Sequence, residues 1–229
     1  SAIAFVSAMA ALVLGACGGL LKRPEIRHYA LPPSPAIATA PAPIAAGELP
    51  IGIGTVELPP GLDRPDIVVR TSAERFDVRG HELWPAPLGT VVRHRLAFDL
   101  AARLPEGLVI LPGQVQPAGG TRALDLSFAE LAAGPAPVLV LDVRWTLRPS
   151  VQPAAVLQVG EPRSGESPAN VGVAVAVPVA ASPALAGHEH IDEPLDSLDS
   201  ASIAAGTSRA LAKLADRLVA AIGAGAPVG

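Results

Sequence analysis

Between Pro87 and Leu104 the apolar residues Leu88, Val92, Leu96, Leu100 and Leu104 fall four positions apart, with Val91 on the same side, which predicts an amphipathic helix. Pro87 is tolerated in the first turn, Pro105 stops the helix, and Arg95 and Asp99 form a four-residue charge pair expected on the wet side. A second helical stripe runs through Ile203, Thr207, Leu211, Leu214, Leu218 and Ile222, with Arg209, Lys213 and Asp216 opposite; Gly223 ends it and the tail to Gly229 frays.

Elsewhere the period is two. Ile51, Ile53, Thr55 and Val56 form one strand and Ile67 to Arg70 another, separated by the proline-punctuated loop Leu58 to Pro65, which cannot supply ladder hydrogen bonds. A short hairpin around Gly80, between Arg75 to Val78 and His81 to Leu83, is expected next. Leu108 to Leu111 reads as a short buried strand. In Thr121 to Ala132, Leu124, Leu126, Phe128 and Glu130 share one side, and Val138 to Leu147 follows as hairpin partner across Gly134 to Pro137. Val151 to Asn170 has no clean period and reads as an irregular strand followed by a mobile loop. Val171, Val173, Val175, Val177 and Val179 alternate with Gly or Ala, as in a strand packed closely on another layer, and the acidic stretch Glu189 to Asp199 reads as a loop. Strands, helix, strands, helix predicts an α+β domain: a single antiparallel or mixed β-sheet with two amphipathic helices packed on one face.

The amino-terminal segment follows another logic. Ile3, Phe5, Val6, Met9, Leu12, Val13 and Leu14 make the apolar centre of a signal-peptide-like stretch over residues 1–16, too short for a comfortable membrane span. No basic region precedes it, and a chain beginning at Ser1 is expected to start inside its precursor. Leu14-Gly15-Ala16-Cys17 resembles a lipobox. That resemblance implies cleavage between Ala16 and Cys17, lipidation of Cys17 and, with Gly18 rather than an aspartate next, transfer to the outer membrane. Several acyl chains hold far more firmly than one. Residues 17–48 then form a tether rich in Pro and Ala, within which His28 to Pro33 has edge-strand character. Residues 49–223 make the periplasmic domain and 224–229 a flexible tail.

At 229 residues, one sizeable domain is expected. Aromatics are only 3% of the chain, so its core must rest on aliphatic side chains. A formal charge of −4 offers no basic field for nucleic acid, and a single cysteine excludes an internal disulfide.

Several stretches together resemble the ABC-type transport auxiliary lipoproteins, the PqiC and YmbA-like family. They are the lipobox ending at Cys17, Tyr29 to Pro32, Ile53 to Pro59 leading into Leu62-Asp63-Arg64-Pro65-Asp66-Ile67-Val68, Leu83 to Leu88, Val92-Arg93, Leu96 to Pro105, and Leu141 to Trp145. The usual acid before the helix is missing from Leu83-Trp84-Pro85-Ala86-Pro87-Leu88, and Ser150 to Ala201 is longer than the family pattern. The resemblance implies a lipoprotein that works with a periplasmic MCE-domain protein and an ABC transporter, moves lipids or hydrophobic compounds between membranes, and docks the conduit at the outer membrane.

The residues themselves announce no catalytic set: there is no Gly-x-Ser-x-Gly elbow, and Gly52-Ile53-Gly54 lacks the third glycine and the helix of a dinucleotide site. No metal, cofactor or nucleic acid is expected. His188-Glu189-His190-Ile191-Asp192 has metal-ligand residue types, and on a strand its two histidines would point one way, but a solvated acidic loop accounts for it better. Leu62, Asp63, Arg64, Pro65 and Trp84 are candidates for a partner interface; the alternatives are that Asp63 and Arg64 brace a loop and Trp84 packs in the core. Membrane attachment and self-association complete the expected partners. A lipid-binding module with a cavity between sheet and helices is the competing reading.

Overall fold

The structure, a computed structural model, describes residues 24–33, 49–117, 119–150 and 184–224. The elements are β1 (Arg27–His28), β2 (Ile51–Glu57), β3 (Asp66–Arg70), β4 (Phe76–Leu83), α1 (Leu88–Ala101), β5 (Val109–Ile110), β6 (Thr121–Ala133), β7 (Val138–Ser150), β8 (Leu185–Pro194) and α2 (Ser200–Ala224). The predicted α+β class holds: one mixed sheet of eight strands carries both helices on one face.

The long strand β6 organises the sheet. One flank pairs antiparallel with β7, which pairs antiparallel with β8. The other flank is shared by β2 and β3, both parallel to it. From Val56 opposite Leu126 to Val69 opposite Ala133, the β2–β3 side advances thirteen positions while β6 advances seven. The surplus chain is thrown out as the Leu58 to Pro65 loop, whose prolines cannot join a ladder. Short parallel strands finish the edges, β5 beside β2 and β1 beside β4.

Side chains of alternate residues fill the space under the helices. Leu124, Leu126 and Phe128 of β6 and Leu139, Leu141, Val143, Trp145 and Leu147 of β7 are buried against Leu96 and Leu100 of α1 and Leu211, Leu214 and Leu218 of α2. Each such aliphatic side chain contributes about 1.5–3 kcal/mol on full burial.

Several sequence expectations are corrected. The turn between β3 and β4 falls at residues 71–75, and β4 runs unbroken through Gly80; the irregularity there is a register shift after Asp66. Glu130 leaves the core side, because a bulge between Phe128 and Glu130 reverses the alternation and turns Leu131 inward, freeing Glu130 to pair with Arg70 at 3.1 Å. Helix α1 stops at Ala101 rather than Leu104, with Ala102 as its cap and the Arg103 and Leu104 N–H groups donating to the Leu100 carbonyl.

The acidic stretch is not a loop over its first half. Glu189 to Pro194 belongs to β8, and its inward acids meet a basic row on α2: Glu193 lies 2.5 Å from Arg209 and 2.8 Å from Lys213, and Glu189 lies 2.9 Å from Arg217. Burial pushes the Glu193 carboxyl up, but hydrogen bonds from Arg209 and Lys213 prevail and hold it below its ordinary range.

Nor is the Arg95–Asp99 pair on the wet side. Asp99 is 3% exposed where α2 crosses α1. Arg95 grips it through Nε at 2.8 Å and Nη2 at 2.7 Å, while Arg103 donates to the Asp99 carbonyl and reaches Asp216 of α2 at 2.5 Å. Burial raises the Asp99 carboxyl pKa against the pull of Arg95. The alternating valines from Val171 to Val179, the loop expected over 151–170 and the 225–229 tail lie outside the described residues.

Candidate functional site

The space between sheet and helices is closed. A cavity lined there by Leu62, Trp84, Leu88, Leu139 and Ile203 holds about 10 Å3, near the limit for one water. Larger spaces are open at the surface. One of about 740 Å3 lies at the β5 end beside Pro105 and Val115, and a polar one of about 300 Å3 lies on the sheet face away from the helices among Thr55, Asp125, Arg144 and Arg148. The most apolar, about 550 Å3, is a groove between Leu31 and Pro33 of the amino-terminal segment, Pro85 and Ala86 before α1, and Val91 and Phe98 on α1 itself.

Local chemistry explains how the groove is built. Tyr29 continues the β1 pairing by donating its N–H to the Leu83 carbonyl, and Ser208 of α2 donates to the Pro32 carbonyl. The segment is thereby tied to both sheet and helix. Pro87 has no side chain that can cap α1, and Asp63 supplies the missing acceptor from the looped-out segment, taking the Gly89 N–H at 2.9 Å. Across the sheet, Arg79 of β4 donates to Ser200 at 2.7 Å, pinning the start of α2, where the Asp199 carboxylate accepts the Ser202 N–H at 2.7 Å. A hydrogen bond from Ser197 and that cap hold the Asp199 carboxyl below its usual range.

The candidate interface residues are brought together but divide by depth. Leu62 and Trp84 are buried, and both line the small interior cavity; the backbone N–H of Trp84 also donates to the Pro65 carbonyl. Asp63 and Pro65 are exposed above them, and half-buried Arg64 pairs with Asp66 at 2.8 Å. Gly54 has an architectural reason: a Cβ there would collide with Asp125 Oδ1, which instead accepts the Thr55 N–H at a register shift of β2, while Oδ2 pairs with Arg148.

His188 and His190 sit on β8, on the face away from the helices, rather than in a loop. Their rings flank Asp142 of β7, with His188 Nε2 2.9 Å from Oδ1 and His190 Nδ1 3.1 Å from Oδ2; Asp192 lies 3.3 Å from the other nitrogen of His190. Hydrogen bonding to Asp142 raises the His190 pKa, and that from His188 lowers the Asp142 pKa. Among the described residues no group of three or more His, Cys, Asp or Glu is placed to hold a metal ion. Ala16 and Cys17 lie outside the described residues, and among those residues no helix is long and apolar enough to cross a membrane.

Apolar spacing alone does not show the groove, because Val91 shares the side of the buried stripe of α1. The available signal was Phe98, a large aromatic off that stripe and seven residues after Val91.

The family model of the ABC-type transport auxiliary lipoprotein component matches residues 29–219. Among curated proteins none matches the chain significantly. Two solved structures share its fold. One, of an uncharacterized protein, has a TM-score of 0.59 at 14% identity, over 86% of this chain and 98% of the other. The other, a Xanthomonas campestris protein assigned to the family DUF330, has a TM-score of 0.52 at 14% identity, over 85% and 92%.

Proposed function

Because the chain belongs to the ABC-type transport auxiliary lipoprotein component family, we propose that it is a periplasmic lipoprotein, anchored through Cys17, that serves without catalysis as a docking component of an ABC/MCE-type system moving lipids or other hydrophobic compounds between membranes. The observation that carries this reading is the filled interior. Small-molecule sites enclose about 300–1,000 Å3. The cavity of about 10 Å3 between sheet and helices cannot take an acyl chain, which speaks against a carrier that shields a lipid there.

The partners in this reading are a periplasmic MCE-domain protein and, through it, the ABC transporter, with self-association as a further property. Exposed Asp63 and Pro65 and half-buried Arg64, supported by buried Leu62 and Trp84, form the candidate contact loop, held rigid by the Asp63 cap and the Arg64–Asp66 pair. Rigid display keeps the entropy cost of docking low. Gly18 after Cys17 supports placement at the outer membrane.

The test is a photo-crosslinker at Arg64 in the full lipidated chain, expressed beside its native transport partners. A crosslink to a periplasmic MCE-type protein is the expected result. Stoichiometric co-purifying lipid with no crosslinked partner would replace docking with lipid carriage.

A further inference from the structure

We propose that the groove between Leu31 and the outward face of α1 is a membrane-contact surface, which seats the domain on the phospholipid bilayer that holds its amino-terminal anchor. This rests on the lipidation of Cys17 in the reading above and adds to it a specific face of the domain.

Four positions one helical face apart, Val91, His94, Arg95 and Phe98, form one side of the groove, and Ala30, Leu31 and Pro33 form the other. Phe98 is 57% exposed although the rest of α1 spends its large apolar residues on the core. An exposed aromatic beside half-buried aliphatics is what the headgroup region of a bilayer accepts.

Charge agrees. The chain as a whole is −4, yet no acid lines the groove; Arg93 on the adjoining face of α1 is exposed with no ion-pair partner among the described residues, and exposed Glu25 and Arg27 offset one another on the segment leading in. The one acid of α1, Asp99, is buried and occupied by Arg95. An apolar groove with no acid in its lining fits phospholipid headgroups.

Connectivity selects a bilayer over a protein as the occupant. The wall of the groove is the same stretch of chain that leads back to Cys17. Six residues lie between Cys17 and Pro24, and the seven steps reach at most about 25 Å. The anchor therefore keeps this face at high local concentration near the headgroups.

The test uses the full lipidated protein in phosphatidylethanolamine/phosphatidylglycerol vesicles, with a polarity-sensitive fluorophore on a cysteine introduced by His94→Cys and, for reference, by Ser127→Cys on the sheet face away from the helices. Thioether-linked Cys17 does not react. The label at 94 should be quenched several-fold more by nitroxide lipid, and less by aqueous acrylamide, than the label at 127. Arg93→Glu with Phe98→Asp, both at exposed side chains, should abolish the difference. A lipidated protein whose position 94 is as wet as 127 overturns the contact alone. So does a position 94 wet on vesicles but shielded in native membranes, which would put a protein in the groove. Mass spectrometry showing unmodified Cys17 removes the anchor, and this proposal with it.

Discussion

The indole of Trp145 occupies the space that a side chain at Gly187 would need: the two residues pair directly across β7 and β8, and a Cβ on Gly187 would fall 2.7 Å from the ring. Because Trp145 is buried against the rigid core, the ring has nowhere to retreat. Gly187→Ala should therefore destabilise the domain by about 1–3 kcal/mol, the usual cost of overpacking. Urea denaturation followed by tryptophan fluorescence measures it, and an unchanged midpoint would mean that β8 shifts freely on β7.

Asp63 should matter through its acceptor oxygen rather than its charge. Asp63→Ala removes the remote cap of α1 and should cost about 0.5–2 kcal/mol, whereas Asp63→Asn, which keeps an oxygen for the Gly89 N–H, should lose much less. Equal losses in the two variants on thermal unfolding would point to the carboxylate charge instead.

The helix crossing depends on Arg103 and Asp216. Asp216→Ala strips buried Arg103 of its nearest carboxylate and Arg103→Ala leaves half-buried Asp216 without that partner, so each should be destabilising and the double variant less so than their sum. A double-mutant cycle should return a coupling of about 1–3 kcal/mol. Additivity would reduce the crossing to hydrophobic packing.

The His188–Asp142–His190 cluster gives stability a pH dependence with two arms. The His190 pKa is raised above its ordinary 6.5 by its hydrogen bond to Asp142, so its contribution is complete below 6.5 and is lost as pH rises through the elevated value. The Asp142 pKa is lowered from 3.8, so its contribution is present above 3.8 and is lost as pH falls through the depressed value. Denaturation midpoints collected across pH should fall above 6.5, and His190→Gln should flatten that fall. An NMR titration placing His190 at or below 6.5 would contradict it.

The parts of the fold most legible in the sequence were those built by one kind of force. The stripes of α1 and α2 and the β6–β7 hairpin follow from apolar spacing alone, and the structure has them. Misreadings cluster where charges enter the interior. Asp99 resembles any surface partner of Arg95 until Asp216 of the second helix draws Arg103 over it, and Glu193 marks a solvated loop until Arg209 and Lys213 meet it. Spacing along one element cannot show partners that stand on another. Of the candidate site, the Asp63 to Pro65 loop and Trp84 stood out in the sequence, but that Asp63 caps a helix beginning twenty-five positions later needed the looped-out path between β2 and β3.

The acid row of β8 and the basic row of α2 work as a vernier. Four strand residues from Glu189 to Glu193 advance about 13 Å, and from Lys213 or Arg209 to Arg217 the helix advances about 6–12 Å, so the teeth mesh at one setting. Adding a residue within either row would rotate or flip every tooth beyond it. Length changes in such a domain are thus confined to the joints outside the two rails, leaving their relative phase fixed while surface loops drift.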